Sequence, residues 1–147
     1  MTIEEKCVLD KILEGKVSVL PVSIAIGVVY KIVEFGNLEE DGFEHGYLYL
    51  PQGSGIREHS HVSDIERYKV VFGDLNVKGE KVTSNICDLG CSHDIGVVNR
   101  DTVIETCKIS SKFLSSGYQK NIEAIFDVFS EKNYIAEYNK KNKTYVK

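Results

Sequence analysis

The sequence predicts an all-β core with a short helix before it and a helical tail after it, and three observations support this prediction. Between residues 17 and 110, short runs of β-branched and aromatic residues alternate with turn clusters of Gly, Asn and Asp. Upstream, Thr2 and Glu5 have the spacing of a capping box, and Gly15 is placed to end the helix. Downstream, four apolar residues have the spacing of one helix face: Ile122, Ile125, Phe126 and Phe129.

The segments between the turn clusters are predicted to be strands. They are residues 17–20, 23–35, 46–50, 68–72, 75–77, 82–86 and 102–109. Their close spacing, with no helical pattern between them, favours an antiparallel sandwich or a small barrel. We interpret the chain as one domain over residues 1–147, with the barrel core at about 17–110 and the helical extension at about 111–147.

The composition gives no bulk electrostatic attraction to nucleic acids or anionic membranes, because the formal net charge is −4. The longest apolar run, residues 17–30, is interrupted by Pro21, Ser23 and Gly27 and is too short to span a bilayer. Residues 1–6 lack the pattern of a secretory leader, and the four cysteines are sparse. We therefore expect a cytoplasmic protein with reduced thiols.

The segment His59-Ser60-His61, followed by Glu66, is the strongest functional signal in the sequence. Side chains two positions apart on an extended strand point to the same face, so the two imidazoles can point together. A carboxylate on the stretch that follows can approach them. Two imidazoles and a carboxylate form a ligand set that divalent transition metals bind, so the segment predicts a metal site.

These residues resemble the first motif of the cupin superfamily, which runs glycine, five residues, His-x-His, three or four residues, glutamate, six residues, glycine. Here Gly53 opens the motif, His59 and His61 are its histidines, Glu66 is its glutamate and Gly73 closes it. Every spacing agrees with the family's pattern.

The second cupin motif is present in part. Gly90 and His93 reproduce its central Gly-x-x-His, whereas Asp88 stands where the family has proline, and Asn99 lies two positions beyond the family's asparagine. The resemblance covers about residues 38–109 and does not extend to either terminus.

The resemblance implies a double-stranded β-helix, the jelly-roll or RmlC-like barrel of cupins, with one divalent transition metal inside it. The implied ligands are His59, His61, Glu66 and His93. The metal stays open among Fe, Ni, Zn, Mn, Co and Cu, because a nitrogen-rich site suits all of them. The resemblance also leads us to expect a homodimer.

Three residues are candidates to bind a substrate inside the barrel. Arg57 alternates with His59, so on a regular strand it faces the same side, where a guanidinium would suit a carboxylate or a phosphate. Tyr47 and Tyr49 share one face of a preceding strand and are expected to line the same space.

The sequence identifies no dedicated general base outside the ligand set. Glu58 and Tyr68 are the nearest candidates for proton transfer, since Tyr68 shares the parity of Glu66. His45 is expected at the surface.

Cys87, Cys91 and His93 form a C-x3-C-x-H pattern that offers zinc ligation as an alternative, although it lacks the paired spacing of a zinc finger. Buried structural cysteines are the alternative interpretation of this pattern.

Two functions follow from these observations. The first is a metal-dependent enzyme that acts on a small polar or carbohydrate-like molecule by dioxygenase, isomerase, epimerase or lyase chemistry. The second is a non-catalytic cupin that binds or senses a small molecule. The fold does not choose between them, because function depends on the site that the fold carries.

Overall fold

The computed structural model describes residues 1–25, 27–34, 43–60, 62–111, 124 and 126–127, with the backbone alone at 31–34. Its first element is helix α1 (Ile3–Leu13). The Thr2 hydroxyl accepts a hydrogen bond of 3.0 Å from the Glu5 N–H, and the Thr2 N–H donates one of 2.9 Å to the Glu5 carboxylate. This reciprocal pair is the predicted capping box, so the predicted start of the helix is confirmed.

The remaining elements within the described residues are strands. They are β1 (Ser18–Val19), β2 (Val29–Glu34), β3 (Phe43–Leu50), β4 (Ile56–Ser60), β5 (Asp64–Phe72), β6 (Asn76–Val77), β7 (Glu80–Lys81), β8 (Ser84–Cys87), β9 (Ser92–Ile95) and β10 (Thr102–Ser110). The predicted fold class, a β core preceded by a short helix, is confirmed.

The strands form one large sheet and two small ones. The large sheet has the order β1-β2-β3-β10-β5-β8, while β4 pairs with β9 and β6 pairs with β7. Every pairing is antiparallel. The large sheet and the β4–β9 pair enclose an apolar core, which we call the lumen, between residues such as Leu48, Leu50, Ile56 and Ile104.

The large sheet is buried on both faces. On the face away from the lumen, α1 packs Val8, Leu9 and Ile12 against Tyr47 and Val103 of the central strands. As a result β10 is buried at eight of its nine positions and shows no alternation between buried and exposed residues.

The predicted C-terminal extension lies outside the described residues except at Ser111, Ala124, Phe126 and Asp127. Phe126 is completely buried and packs on Ile65, Cys107 and Ile109 on the outer face of the sheet. No helix among the residues that the structure describes is long and apolar enough to cross a bilayer.

Candidate metal centre

Donor atoms from three strands converge at one wall of the lumen. The facing nitrogens of His59 on β4 and His93 on β9, both Nε2, are 3.1 Å apart. The Glu66 Oε1 on β5 lies 3.1 Å from the same His93 nitrogen. His59 and His93 are direct partners across the β4–β9 pair, so the pairing register itself places the two rings together.

The spacing of these donors fits a transition metal. Neighbouring corners of an octahedral shell are about 1.4 bond lengths apart, or about 3 Å for metal bonds of about 2.1 Å. The two contacts at the His93 nitrogen, each 3.1 Å, agree with this value. All the donor atoms of His59, Glu66 and His93 lie within 4.8 Å of one another.

The backbone fixes the ring of His59 for this purpose. Its Nδ1 lies 2.8 Å from the Arg57 carbonyl oxygen, and because a carbonyl only accepts, Nδ1–H is the donor. In the neutral ring the lone pair is then on Nε2, which faces His93 and Glu66. A hydrogen bond of this kind at the distal nitrogen orients the imidazole ligands of metal sites.

The carboxylate of Glu66 is oriented by a cation on its other side. Glu66 is 3% exposed, and its Oε2 lies 3.6 Å from the Lys108 ammonium. Lys108 also lies 3.8 Å from the Glu44 carboxylate, which accepts a hydrogen bond from the Tyr30 hydroxyl. Oε1 of Glu66 is therefore directed toward the histidines.

Tyr68 completes this wall. Its hydroxyl oxygen is 3.3 Å from the His93 Nε2, and the two rings stack with their centroids 4.8 Å apart. Burial raises the pKa of Tyr68 well above its usual value, with further contributions from the negative charge of Glu66 and a hydrogen bond to it. The side chain is therefore a neutral phenol that can donate a hydrogen bond beside the donor set.

A cavity of about 120 Å³ adjoins the donor atoms. Its apolar walls are the side chains of Leu20, Ile24, Leu48 and Ile56. Its polar lining is contributed by His59, Glu66, Tyr68, Tyr30, Thr106 and Lys108. The donor set therefore borders a small space with one polar side and one apolar side.

The ionisation of Tyr30 gives a testable pH dependence of stability. Burial and the neighbouring Glu44 carboxylate raise the pKa of Tyr30 above its usual value, so the folded chain keeps a proton that the unfolded chain loses above about pH 10. This contribution to stability is present below about pH 10 and is lost as the pH rises further.

We expect Tyr30→Phe to have a shallower fall of unfolding free energy above about pH 10 than the unmodified protein, by up to about 1.4 kcal/mol per pH unit. Denaturant titrations between about pH 8 and pH 11 measure the two slopes. Equal slopes for the two proteins would contradict this assignment.

Two other residues predicted for the site, His61 and Glu58, are not among the converging donors of the described residues. His61 lies outside the described residues. Glu58 is exposed and accepts a 2.7 Å hydrogen bond from the Ser92 hydroxyl, on the outside of the β4–β9 pair.

The expectation that Arg57 faces the lumen is corrected by the structure. Its side chain is exposed, and its guanidinium lies 3.4 Å from the carbonyls of Val22 and Ser23. The reason is a shift of register in β4 between Ile56 and His59. Such a bulge adds a residue and breaks the simple alternation on which the expectation depended.

Tyr47 and Tyr49 do not line the lumen either. Tyr47 is completely buried on the opposite face of β3, under α1, and Tyr49 packs against the same apolar cluster. The lumenal residues of this strand are Leu48 and Leu50. Since both faces of the sheet are buried, hydrophobicity alone did not reveal which tyrosines face inward.

Lys108, Thr106 and Tyr30 are polar residues of the cavity lining that the sequence analysis did not identify. Lys108 is the partner of Glu66 in the pairing of β10 with β5, and Thr106 is the partner of Tyr68. The usable signal was their two-residue alternation within the predicted strand 102–109, but nothing in the sequence shows that this strand lies beside the one that carries Glu66.

Zinc ligation by Cys87, Cys91 and His93 finds no support among the described residues. The Cys87 thiol donates to the Cys91 carbonyl, with the sulfur 3.2 Å from the oxygen. Neither Cys87 nor Cys91 belongs to a group of converging donors among the described residues, and His93 converges with His59 and Glu66 instead.

The comparisons with known proteins agree with this fold. No family model matches the sequence, and no curated protein is significantly similar to it. Among solved structures, an acetylacetone dioxygenase from Acinetobacter johnsonii is similar at a TM-score of 0.53 and 14% identity, over 65% of this chain and 69% of that chain. An RmlC-like cupin from Shewanella frigidimarina gives 0.53 and 14%, over 66% of this chain and 85% of that chain.

A chain in the complex of Rhodobacter sphaeroides SigE with the anti-sigma ChrR is also similar. Its TM-score is 0.54 at 18% identity, over 70% of this chain and 54% of that chain. At these identities the likeness concerns the fold and leaves the chemistry open. Together with the order of the strands, it confirms the fold that the resemblance implies: this chain has the β-barrel fold of the cupins.

Proposed function

We propose that this protein is a metal-dependent cupin-type enzyme that acts on a small polar or carbohydrate-like molecule. The ligands of its divalent metal are His59, His61, Glu66 and His93. The observation that carries the proposal is the convergence of three of these side chains beside a small, partly polar cavity. The similar acetylacetone dioxygenase supports an enzymatic role.

The charges of the cavity wall favour an anionic oxygen on the bound molecule. Glu66 and Lys108 line the cavity, and Glu44 lies beside Lys108, so these three side chains together carry one net negative charge when the histidines are neutral. A divalent ion changes this sum to one net positive charge. An enolate, carboxylate or alkoxide oxygen would then neutralise the site, because a small buried space strengthens such interactions.

The side chains around the cavity have separable roles in this proposal. Lys108 orients Glu66 and attracts an anionic oxygen, Tyr68 donates a hydrogen bond from its neutral phenol, and Leu48 and Ile56 exclude water. A metal at the donor set would supply Lewis-acid activation of a carbonyl or hydroxyl oxygen. The reaction class stays open among dioxygenation, isomerisation, epimerisation and elimination.

The experiment that tests the proposal asks whether the metal retains a position for water. We expect the Mn²⁺-loaded protein to enhance the relaxation rate of solvent water protons, because protein ligands leave one or two positions of a five- or six-coordinate shell open. A small anion such as acetate should reduce this enhancement by displacing the water.

Glu58→Ala is the matched control for this measurement, since Glu58 lies on the same strand as His59 but outside the lumen. It should leave both the enhancement and the effect of acetate unchanged. Bound Mn²⁺ without any enhancement would contradict an open catalytic position.

The alternative is a non-catalytic protein that binds or senses a small molecule. Two observations favour it. One is the similarity to a chain in an anti-sigma complex. The other is that, among the described residues that line the cavity, His59 and Glu66 are the only imidazole and the only carboxylate, and both belong to the donor set. A metal that exchanges no water would support this alternative. A cytoplasmic location and a homodimer are further parts of the proposal, and sedimentation of the purified chain measures the second.

A further inference from the structure

A second group of potential metal ligands lies on the other face of the central strands. His45, Glu105 and Cys107 are respectively 0%, 2% and 0% exposed, so the expectation that His45 lies at the surface is wrong. They face away from the lumen, between the apolar cluster under α1 and the cluster around Phe126. The proposed function does not use any of them.

The register of the sheet brings these three side chains together. Cys107 is the direct partner of His45 across the β3–β10 pairing, and Glu105 is two positions from Cys107 on the same face. The His45 Nε2 lies 3.2 Å from the Glu105 Oε2, and the nitrogen, oxygen and sulfur donors all lie within 4.8 Å of one another. The Tyr47 hydroxyl donates to the same carboxylate oxygen over 3.3 Å.

The charges around this group leave a negative charge to be neutralised. Arg67 is the nearby cation, and its Nη1 forms a 2.6 Å ion pair with Asp127, while its Nη2 lies 3.6 Å from the Glu105 Oε1. That oxygen accepts no hydrogen bond from the described residues. The carboxylates of Glu105 and Asp127, of which the Asp127 side chain is 55% exposed, share the single positive charge of Arg67. These three side chains therefore carry one net negative charge, and the Glu105 carboxylate bears part of it at a depth where uncompensated charge is costly.

We propose that His45, Glu105 and Cys107 form a second site, for a thiophilic divalent cation of the Zn²⁺ type. One imidazole, one carboxylate and one sulfur are a ligand set that zinc accepts, and the Tyr47 hydroxyl, which donates to the Glu105 carboxylate, is a further oxygen beside the set. In a tetrahedral shell the donors are about 3.3–3.8 Å apart. The His45 and Glu105 donors are already 3.2 Å apart, and since all three donors lie within 4.8 Å of one another, the sulfur needs to approach by about 1 Å at most.

Binding at this site releases a proton. Burial raises the pKa of Cys107 far above its usual value, so the metal-free side chain is a thiol, and the sulfur–metal bond forms as the thiol proton leaves to solvent. The Nε2 of His45 is the donor in its hydrogen bond to the Glu105 carboxylate, so this nitrogen releases its proton when it binds the metal and the ring carries a proton on Nδ1 instead. With the thiolate formed, the ion brings the sum of the local charges to zero.

The role of this site is structural. Phe126 packs with Cys107, and α1 packs with Tyr47 and Val103, which neighbour the other two ligands along their strands. The strands that carry the ligands, β3 and β10, are the two central strands of the large sheet. An ion held there would link these strands, as structural zinc sites do when binding and folding are coupled.

Cobalt provides a test that separates the two sites, because only this group contains sulfur. We expect Co²⁺ added to the full-length protein to give a sulfur-to-cobalt charge-transfer band in the near ultraviolet. Cys107→Ala and Cys107→Ser should both abolish the band and lower the bound cobalt by one ion per chain. His59→Ala should leave the band intact, so a failure of the lumenal site would not affect this result.

Three cysteine variants are matched controls. Cys7→Ser and Cys91→Ser remove exposed thiols, and Cys87→Ala removes the other buried thiol, which pairs across the sheet with Glu66 near the lumen. All three should retain the band. Its absence from the unmodified protein, its persistence in folded Cys107→Ala, or its loss in Cys87→Ala alone would overturn the proposal.

Discussion

Replacement of His59 and His93 together by alanine is expected to lower the affinity of the lumen for metal by roughly 100-fold or more. Loss of a residue that only orients a ligand costs about 10- to 100-fold, and the loss of two direct ligands should cost more. The two Nε2 atoms are 3.1 Å apart and define two corners of the proposed shell, so only Glu66 of the described donor set remains in the variant. Elemental analysis after loading with Ni²⁺ and removal of free metal measures the effect. The double variant should contain one nickel ion per chain fewer than the unmodified protein.

Glu58→Ala is the matched control here as well, because it changes the same strand without touching the donor set. A third substitution, His61→Ala alone, asks whether this residue is a fourth ligand and should weaken binding by about 10-fold or more if it is. Undiminished nickel in the folded His59/His93 double variant would contradict the lumenal site.

Gly73→Ala is expected to destabilise the fold by about 3–5 kcal/mol, through backbone strain and a steric clash that add together. Gly73 follows β5 with a φ of +97°, and a Cβ there would lie 2.6 Å from the Cα of Thr102 at the start of β10. Because the Thr102 Cα belongs to the backbone, a change of side-chain rotamer cannot relieve this clash. The last glycine of the first motif is therefore needed for close approach of two strands, and denaturant unfolding measures the loss.

Gly79→Ala separates strain from clash. Gly79 has a comparable φ of +81°, but nothing lies within 4 Å of the position of its Cβ. This variant should lose only the conformational contribution, about 1 kcal/mol. Equal losses for the two variants would show that the contact with Thr102 is not the cause.

The parts of this molecule that were predictable from sequence are those that local spacing determines. The capping box of α1 depends on two residues three positions apart. The convergence of His59 with Glu66 depends on two residues only seven positions apart, on strands that follow one another in the chain. The partial second motif was also enough to indicate His93 as the facing imidazole.

The parts that were not predictable depend on pairing between distant strands. The strand candidates omitted β9, whose sequence Ser-His-Asp-Ile contains one β-branched residue, because its polar side chains belong to the site and its surroundings. The outward direction of Tyr47 depends on α1 covering the second face of the sheet. The exposure of Arg57 depends on the bulge in β4, which leaves no recognisable sequence signal.

The alternation along β10 has a consequence for how insertions and deletions would act. Thr106 and Lys108 belong to the lumen, whereas Glu105 and Cys107 belong to the opposite face, and both faces are closed to solvent. Loss of a single residue before this strand would exchange the two groups and direct a carboxylate and a thiol into the cavity. One frame-preserving codon deletion would thus alter the linings of the proposed lumenal site and of the proposed second site at once.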